Sequence, residues 1–325
     1  MATIRWGILG LGSIAEEFAD ALGRTGGMLA AVGSRSEEKS RAFAAKWRAK
    51  SAHGSYADLL ENPDVDVIYV ATPHNSHYLW ARECLLHGKH VLCEKAITVN
   101  GQELGELCSL AASRRLLLKE AMTVYHMPLY QELLSRIGES APLGRVKALQ
   151  IAFGSMKPYD VTSRYFNPDL AGGALLDIGV YALSFARLFL SCQPDRVLTT
   201  MSRFETGVDE QSGILLQNAM GELAVITLAM RAKFPKRAVI SCERGFVSVD
   251  DYPRADSAAI TWAEDGRGET IRAGAAADAL AYEVQQTERL IASGASDTAL
   301  ALTCDVMSLM DQIRASWGLR YPFEG

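Results

Sequence analysis

Hydrophobic and polar positions follow two regimes along the chain. In the first, up to about residue 122, short apolar runs trade places with stretches of helical period. TIRWGIL (3–9) reads as a strand, SIAEEFADAL (13–22) as a helix, MLAAVGS (28–34) as a strand and SEEKSRAFAAKWRA (36–49) as a helix. Ser55 caps a short helix, YADLL, with Asp58 three residues later. DVDVIYVAT (64–72) is nearly continuous in apolar residues, as a strand buried on both faces should be. A helix over 76–87, the strand KHVLC (89–93), a helix from Asn100 to about Ser113 and the strand LLLKEAM (116–122) complete the series. Asn100 with Glu103 makes a capping-box start for the last of those helices. Strands and helices in this alternation predict an α/β domain with a doubly wound parallel sheet.

In the second regime, from residue 123 to 325, the period shortens. GESAPLG (138–144) separates a helix from a strand, and strand-like segments follow at 145–154, 196–205, 212–218, 222–230, 237–242, 246–250 and 258–264. NAMG, ERG and EDG between them suit tight turns. Alternation within the segments predicts an α+β domain with a large, mostly antiparallel open sheet. Helical stretches near 174–190, 278–293 and 298–316 can cover one face of it, leaving the other available for self-association. The predicted domains are therefore 1–122 and 123–325.

Composition narrows the class. Of 325 residues, 49% are hydrophobic and 22% charged, and the net charge is −5, so there is no basic excess to neutralise nucleic-acid phosphates. The six cysteines form no CxxC pair and sit mostly in apolar runs, which suits buried thiols in a reducing compartment. The N-terminal residues enter a strand at once without the features of a signal peptide. No run approaches the ~18 apolar residues of a membrane span. A cytoplasmic protein without a membrane partner is expected.

The first candidate chemistry is GLGSIA (10–15), which follows the first strand and opens the first helix. It fits G-x-G-x-x-A through Gly10, Gly12 and Ala15. Glycine there permits the tight turn and a close backbone approach to a pyrophosphate, and the amides of Ser13, Ile14 and their neighbours face the phosphates. The strand–turn–helix context makes this a dinucleotide site of the Rossmann type. At the end of the next strand, where a ribose-binding carboxylate would stand, the sequence has Ser34 and Arg35. Arg35 can hold the 2′-phosphate of NADP by charge-assisted hydrogen bonds, so NADP is expected over NAD. ATPHNSH, at a strand end on the ligand-binding edge, places Thr72, Pro73, His74 and His77 beside the cofactor or at helix caps. No third ligand joins His74 and His77, or the equally spaced His87 and His90, at a metal-binding interval, so no metal is expected.

The second is GGALLDIGVYAL (172–183). Asp177 and Tyr181 stand four apart and share one face of a helix that is otherwise apolar. A carboxylate and a phenol on such a helix need partners or a site.

Together these segments resemble the Gfo/Idh/MocA oxidoreductase family. GLGSIA, SYADLL, ATPHNSH, VLCEKA, KEAM and GGALLDIGVYAL carry the resemblance from residue 10 to residue 183 in family order. RWGILGLGSIA, GSYADL, VLCEK and ETGVDE (205–210) are most similar to its dimeric dihydrodiol dehydrogenase and NADP-dependent D-xylose dehydrogenase branch. The resemblance implies hydride transfer between a nicotinamide and a carbinol carbon of a sugar, polyol or cyclic diol. It implies Lys95 as the catalytic lysine, with Glu94 before it turned to the cofactor or to the lysine's loop. Many members place a histidine as acid/base after G-G-A-L, and this branch places a tyrosine; all six histidines here lie at or before His126, and the matching position is Tyr181. Lys95 would favour the phenolate of Tyr181, whose free value is about 10. Asp177 would orient Lys95 or bind a substrate hydroxyl, and Arg164 is a further candidate for substrate contact. A homodimer is implied, with a tetramer as the other assembly.

Two positions depart from the family's pattern. Ala96 replaces the proline of E-K-P, in the loop of Lys95. In EAMTVYHMP (120–128), Tyr125 replaces an arginine and Met127 a histidine, in a segment expected near the substrate. These losses leave two other readings open: a non-catalytic NADP-binding sensor, or a nicotinamide-dependent hydrolase or lyase.

Overall fold

The computed structural model describes Thr3–Glu324. The chain forms two compact units, Met1–Met122 with Leu280–Ala301, and Thr123–Ala279 with Leu302–Gly325.

The first unit holds a six-stranded parallel sheet in the order β3-β2-β1-β4-β5-β6: β1 Arg5–Leu9, β2 Met28–Gly33, β3 Ser51–His53, β4 Val67–Val70, β5 His90–Glu94 and β6 Leu118–Ala121. The helices between them are α1 Ser13–Arg24, α2 Glu37–Trp47, α3 Tyr56–Leu60, α4 His77–Leu86 and α5 Gly101–Arg114. The expected caps form: Ser55 and Asn100 accept from the N–H groups of Asp58 and Glu103, and Ser36 likewise caps α2 by accepting from Lys39 N. The Glu103 carboxylate reaches back to Val99 N, one residue beyond the cap itself. β3 escaped the sequence reading because three residues are too few to display alternation.

Residues 280–301, which chain order assigned to the second domain, belong to the first. Their apolar side chains explain this. Val284 and Ile291, on α8 (Ala279–Ser293), pack into the core of Trp6, Ile8, Phe18, Val67, Tyr69 and Leu92. Trp6 Nε1 donates to Glu288 at 2.9 Å, and the buried Lys119 ammonium meets Asp297 at 3.5 Å. Burial pushes the Lys119 amine's pKa down, and Asp297 opposes that shift.

The second unit holds an eight-stranded sheet in the order β14-β13-β12-β11-β7-β10-β9-β8. Its strands are β7 Val146–Gly154, β8 Pro194–Arg203, β9 Asp209–Asn218, β10 Leu223–Ala229, β11 Arg237–Cys242, β12 Gly245–Asp250, β13 Ser257–Trp262 and β14 Gly268–Arg272. β14 was not foreseen, because GETIR carries a single buried apolar residue. Every pair is antiparallel except β7 with β10, which run parallel. Ile214, Leu216, Ile226, Leu228, Ile240 and Ile260 are buried on the inner face. α6 (Pro128–Arg136) and α7 (Val180–Phe189) lie in this unit, together with α9 (Ala299–Trp317) from Leu302 onward. Pro168–Phe189 is long and apolar enough to cross a membrane by composition, contrary to the sequence reading, but it is mostly buried within the protein.

Candidate active site

In the first unit the chemistry-bearing residues gather at the carboxyl ends of the parallel strands. Gly10 follows β1 with φ +93°, and a Cβ there would lie 2.8 Å from Ala71 O, so only glycine fits the turn. Gly12 precedes α1 with nothing within 4 Å of its would-be Cβ, and no side chain caps the helix that Ser13 and Ile14 open. At the end of β2, Ser34 Oγ accepts from Ser36 N at 3.2 Å. The exposed Arg35 guanidinium lies against Tyr56, whose hydroxyl pKa is pushed up by burial and drawn back by that charge. At the end of β4, Thr72 Oγ1 is buried with no hydrogen-bond partner among the described residues. A glycine turn, an open helix N-terminus, a cation past β2 and an unsatisfied hydroxyl past β4 fit a phosphorylated dinucleotide.

The loop carrying Lys95 is tied down by its neighbours. β5 ends at Glu94, a buried carboxylate that accepts from the Tyr69 hydroxyl, and Tyr69 stacks on Phe18 at 3.8 Å. The Lys95–Ala96 peptide bond is cis. His74 Nε2 faces Lys95 O at 3.1 Å, and Glu120 Oε1 accepts from Ile97 N at 3.1 Å. His77, 1% exposed, sets Nδ1 2.8 Å from Ala96 O and Nε2 2.7 Å from Thr72 O. Both partners are carbonyl oxygens, which can only accept, so the ring nitrogen that carries the proton is the donor to either. His74 and His77 are expected beside the cofactor or at helix caps; their ring nitrogens lie within hydrogen-bond reach of the Lys95, Ala96 and Thr72 carbonyls.

In the second unit, Gly172 and Gly173 lead into a π-helical turn, Leu175–Gly179, in which Val180 N donates five residues back to Leu175 O. α7 continues from it. Asp177 lies in the π turn and Tyr181 in the first turn of α7. Asp209, fully buried at the start of β9, accepts from Leu175 N at 2.7 Å and caps the helical entry. Gly173 has φ +115°, and a Cβ there would come within 2.1 Å of Asp209 Oδ1. Asp177 is buried, and Arg164 Nη1 donates to it at 3.4 Å, so the arginine read as a candidate substrate contact is paired with the helix's carboxylate. Tyr181 is half-buried, its ring 6.2 Å from Phe153. Tyr125 is buried, edge-on to His126 at 6.5 Å.

Residues 4–121 match the model of an oxidoreductase family with an NAD-binding Rossmann fold, and residues 132–248 match the GFO/IDH/MocA C-terminal domain. The chain belongs to the GFO/IDH/MocA oxidoreductase family. It is an enzyme, a dehydrogenase or reductase of CH–OH groups on an NAD(P)-binding fold. Among similar GFO/IDH/MocA chains, a trans-1,2-dihydrobenzene-1,2-diol dehydrogenase from Xenopus tropicalis is 30% identical over 334 residues, covering 99% of this chain and 100% of its own. Its counterpart from Homo sapiens is 33% identical over 250 residues, covering 76% and 74%. A 3-ketoreductase from Actinomadura kijaniata, solved with TDP-benzene and NADP, superposes with TM-score 0.83 at 24% identity, covering 96% of this chain and 97% of its own.

Several residues around this GFO/IDH/MocA site were not anticipated. Glu120 as a loop anchor depends on β5 and β6 pairing in register, which one segment cannot reveal. Lys236, against Phe153, had a visible signal in the basic stretch RAKFPKR (231–237), whereas Lys157 and Tyr165, close to Arg164, lie outside it.

Proposed function

We propose that the protein is an NADP-dependent dehydrogenase of a sugar, polyol or cyclic diol, with Tyr181 as acid/base and Lys95 assisting. One observation carries the assignment of the base. A single helical segment presents Asp177 and the half-exposed Tyr181 one turn apart, where the family pattern expects its proton-transfer residue. Gly10, Gly12, Ser13, Ile14, Ser34, Arg35, Thr72 and Pro73 would hold the cofactor. Arg35, with no carboxylate at the end of β2, supports NADP over NAD, as do the neighbours solved with NADP. Bound there, the nicotinamide would supply the acceptor for the hydride of the carbinol carbon. Tyr181 takes the hydroxyl proton of the alcohol in the oxidative direction and returns it in the other. Lys95 favours the phenolate form of Tyr181 and donates to the substrate oxygen. Asp177 with Arg164 receives a neighbouring hydroxyl. His74, His77, Glu94 and Glu120 keep the lysine's loop in place.

The relatives named as diol dehydrogenases support this reading over a sensor, hydrolase or lyase. The test is spectrophotometric: enzyme and NADP with a panel of aldoses, inositols and cyclic diols should yield reduced nicotinamide. Tyr181→Phe should lower kcat by about a hundredfold or more. Full activity in that variant would remove Tyr181 from the mechanism.

The proposal extends to a cytosolic homodimer, with a tetramer as the other assembly. Strand register aligns Leu198, Leu215, Val225 and Val239 on the face opposite Ile226 and Ile240. Leu198 is 69% and Val225 47% exposed, an apolar row that a second copy would cover.

A further inference from the structure

Tyr181 and Asp177 are flanked by cations from two segments. One follows β7. There the Lys157 ammonium sits 4.5 Å from the centre of the Tyr165 ring, and the Arg164 guanidinium lies 4.4 Å from the same ring while reaching Asp177. The other follows β10. There Lys236 Nζ lies 5.1 Å from the centre of the Phe153 ring, the ring that also neighbours Tyr181, and Arg231 lies 5.2 Å from Tyr159. The two segments are fixed to each other. Ser155 N donates to Ala229 O and Lys157 N to Met230 O, and a Cβ at Gly154 would strike Phe234 N at 2.5 Å. The basic loop therefore lies directly on the end of β7.

The charge of this region runs against that of the protein. The net charge is −5, yet no Asp or Glu occurs between Glu222 and Glu243, a span that holds Arg231, Lys233, Lys236 and Arg237. Arg237 is taken up by Asp250 and Arg164 by Asp177. Lys157, Arg231, Lys233 and Lys236 make no ion pair within 4.0 Å among the described residues. Like charges held together raise the free energy of the fold, and an anionic ligand relieves that repulsion and is drawn in by the same field. A neutral aldose or diol has no use for such a set.

We propose that the substrate of this enzyme is an anionic hydroxy compound, its alcohol presented to Tyr181 and its phosphate or carboxylate received by Lys157 and Lys236. This inference rests on Tyr181 being the acid/base. Both anions offer the same chemistry, several oxygen acceptors carrying formal charge, and differ in how many oxygens they bring.

Calorimetric titration of the full chain with NADP present tests it, using glucose 6-phosphate, glucuronate and glucose as probes in low and high salt. Either anion should bind at least tenfold more tightly than glucose, and that preference should shrink in salt. The stronger anion identifies phosphate or carboxylate as the natural group. In a Lys157→Gln/Lys236→Gln double variant the ratio of anionic to neutral affinity should fall toward one. Equal affinity for all three probes overturns the inference, as does a double variant that keeps the preference. A double variant that instead loses NADP affinity assigns the cations to the cofactor and also overturns it. Reduced nicotinamide formation is scored separately. Tyr181-dependent turnover of neutral sugars without anion preference upholds the dehydrogenase and sinks this inference. Anion binding without any hydride transfer keeps the anion site and sinks the dehydrogenase.

Discussion

Replacing Asp209 with asparagine should change how stability depends on pH. The Asp209 carboxyl is fully buried, and burial pushes it up to about 6, against the pull of the Leu175, Ala174 and Asp209 N–H groups and the Arg314 charge. The ordinary value is 3.8. The folded protein therefore holds this proton more tightly than the unfolded chain does. Its contribution to stability is complete below pH 4 and is lost as pH rises through 6. The full cost of ionising the group in the fold is about 3 kcal/mol, of which about 2 kcal/mol falls between roughly pH 4.5 and 7.5. Glu243 shifts the other way, chiefly because it accepts from the Arg145 N–H, and Asp66 and Asp250 do so because they accept from the Arg5 and Arg237 guanidinium groups, so their effects fall at lower pH. Asparagine keeps an oxygen for Leu175 N but has nothing to titrate. Urea unfolding of both proteins at several pH values, followed by tryptophan fluorescence, gives the difference in stability. Between pH 4.5 and 7.5 that difference should move by about 2 kcal/mol in favour of Asp209→Asn. The constant cost of the substitution cancels in this comparison. A difference flat to about 0.5 kcal/mol, larger than the scatter of ordinary surface changes, would refute the reasoning.

Three further outcomes are expected. Arg35→Ala should raise KM for NADP about tenfold or more and leave KM for NAD within about twofold, as loss of a charge-assisted phosphate contact does; a parallel change in both would mean that Arg35 does not read the 2′-phosphate. His77→Ala should lower kcat by about ten- to a hundredfold through the loop of Lys95, with NADP affinity nearly kept, and His77→Gln should recover part of it because an amide NH2 can still donate to a carbonyl; equal kcat in all three proteins would deny the ring a positioning role. Val225→Lys, set in the exposed apolar row, should convert a dimer to monomers in light scattering behind gel filtration, whereas an unchanged mass would move the interface elsewhere.

Elements whose determinants are local could be read from the sequence. Ser55 and Asn100 announced the helices they cap, and GLGSIA announced its turn, since each needs only a few consecutive residues. α8 and the residues after it did not announce which unit they join, because their partners, Trp6 for Glu288 and the buried Lys119 for Asp297, lie far away in sequence. The carbonyl partners of the histidines were hidden for a related reason. Their spacing in ATPHNSH is visible, but their acceptors, the carbonyls of Lys95 and Ala96, come into reach only when β4 and β5 pair. Asp177 and Tyr181 were readable as one helical face, and the π turn leaves them one turn apart even though its hydrogen bonds span five residues.

The basic loop shows why a visible stretch can still carry no reading. RAKFPKR is conspicuous in the sequence, but a charged run between strands is ordinarily a solvated turn, and its meaning depends on which end of the sheet it occupies. That is fixed by one unusual pairing. β10 runs parallel to β7, with Ala229 beside Gly154, so the loop after β10 falls at the same end as Phe153 and, through it, Tyr181. An antiparallel β10 would carry the same residues to the far end, beside Val146. A parallel pair cannot be closed by a hairpin; it needs a long crossover, and here α7, β8 and β9 supply it. The crossover thus supplies the helix that carries Tyr181 and also brings the cations to its side. The charge preference proposed for the substrate is a consequence of topology as much as of composition.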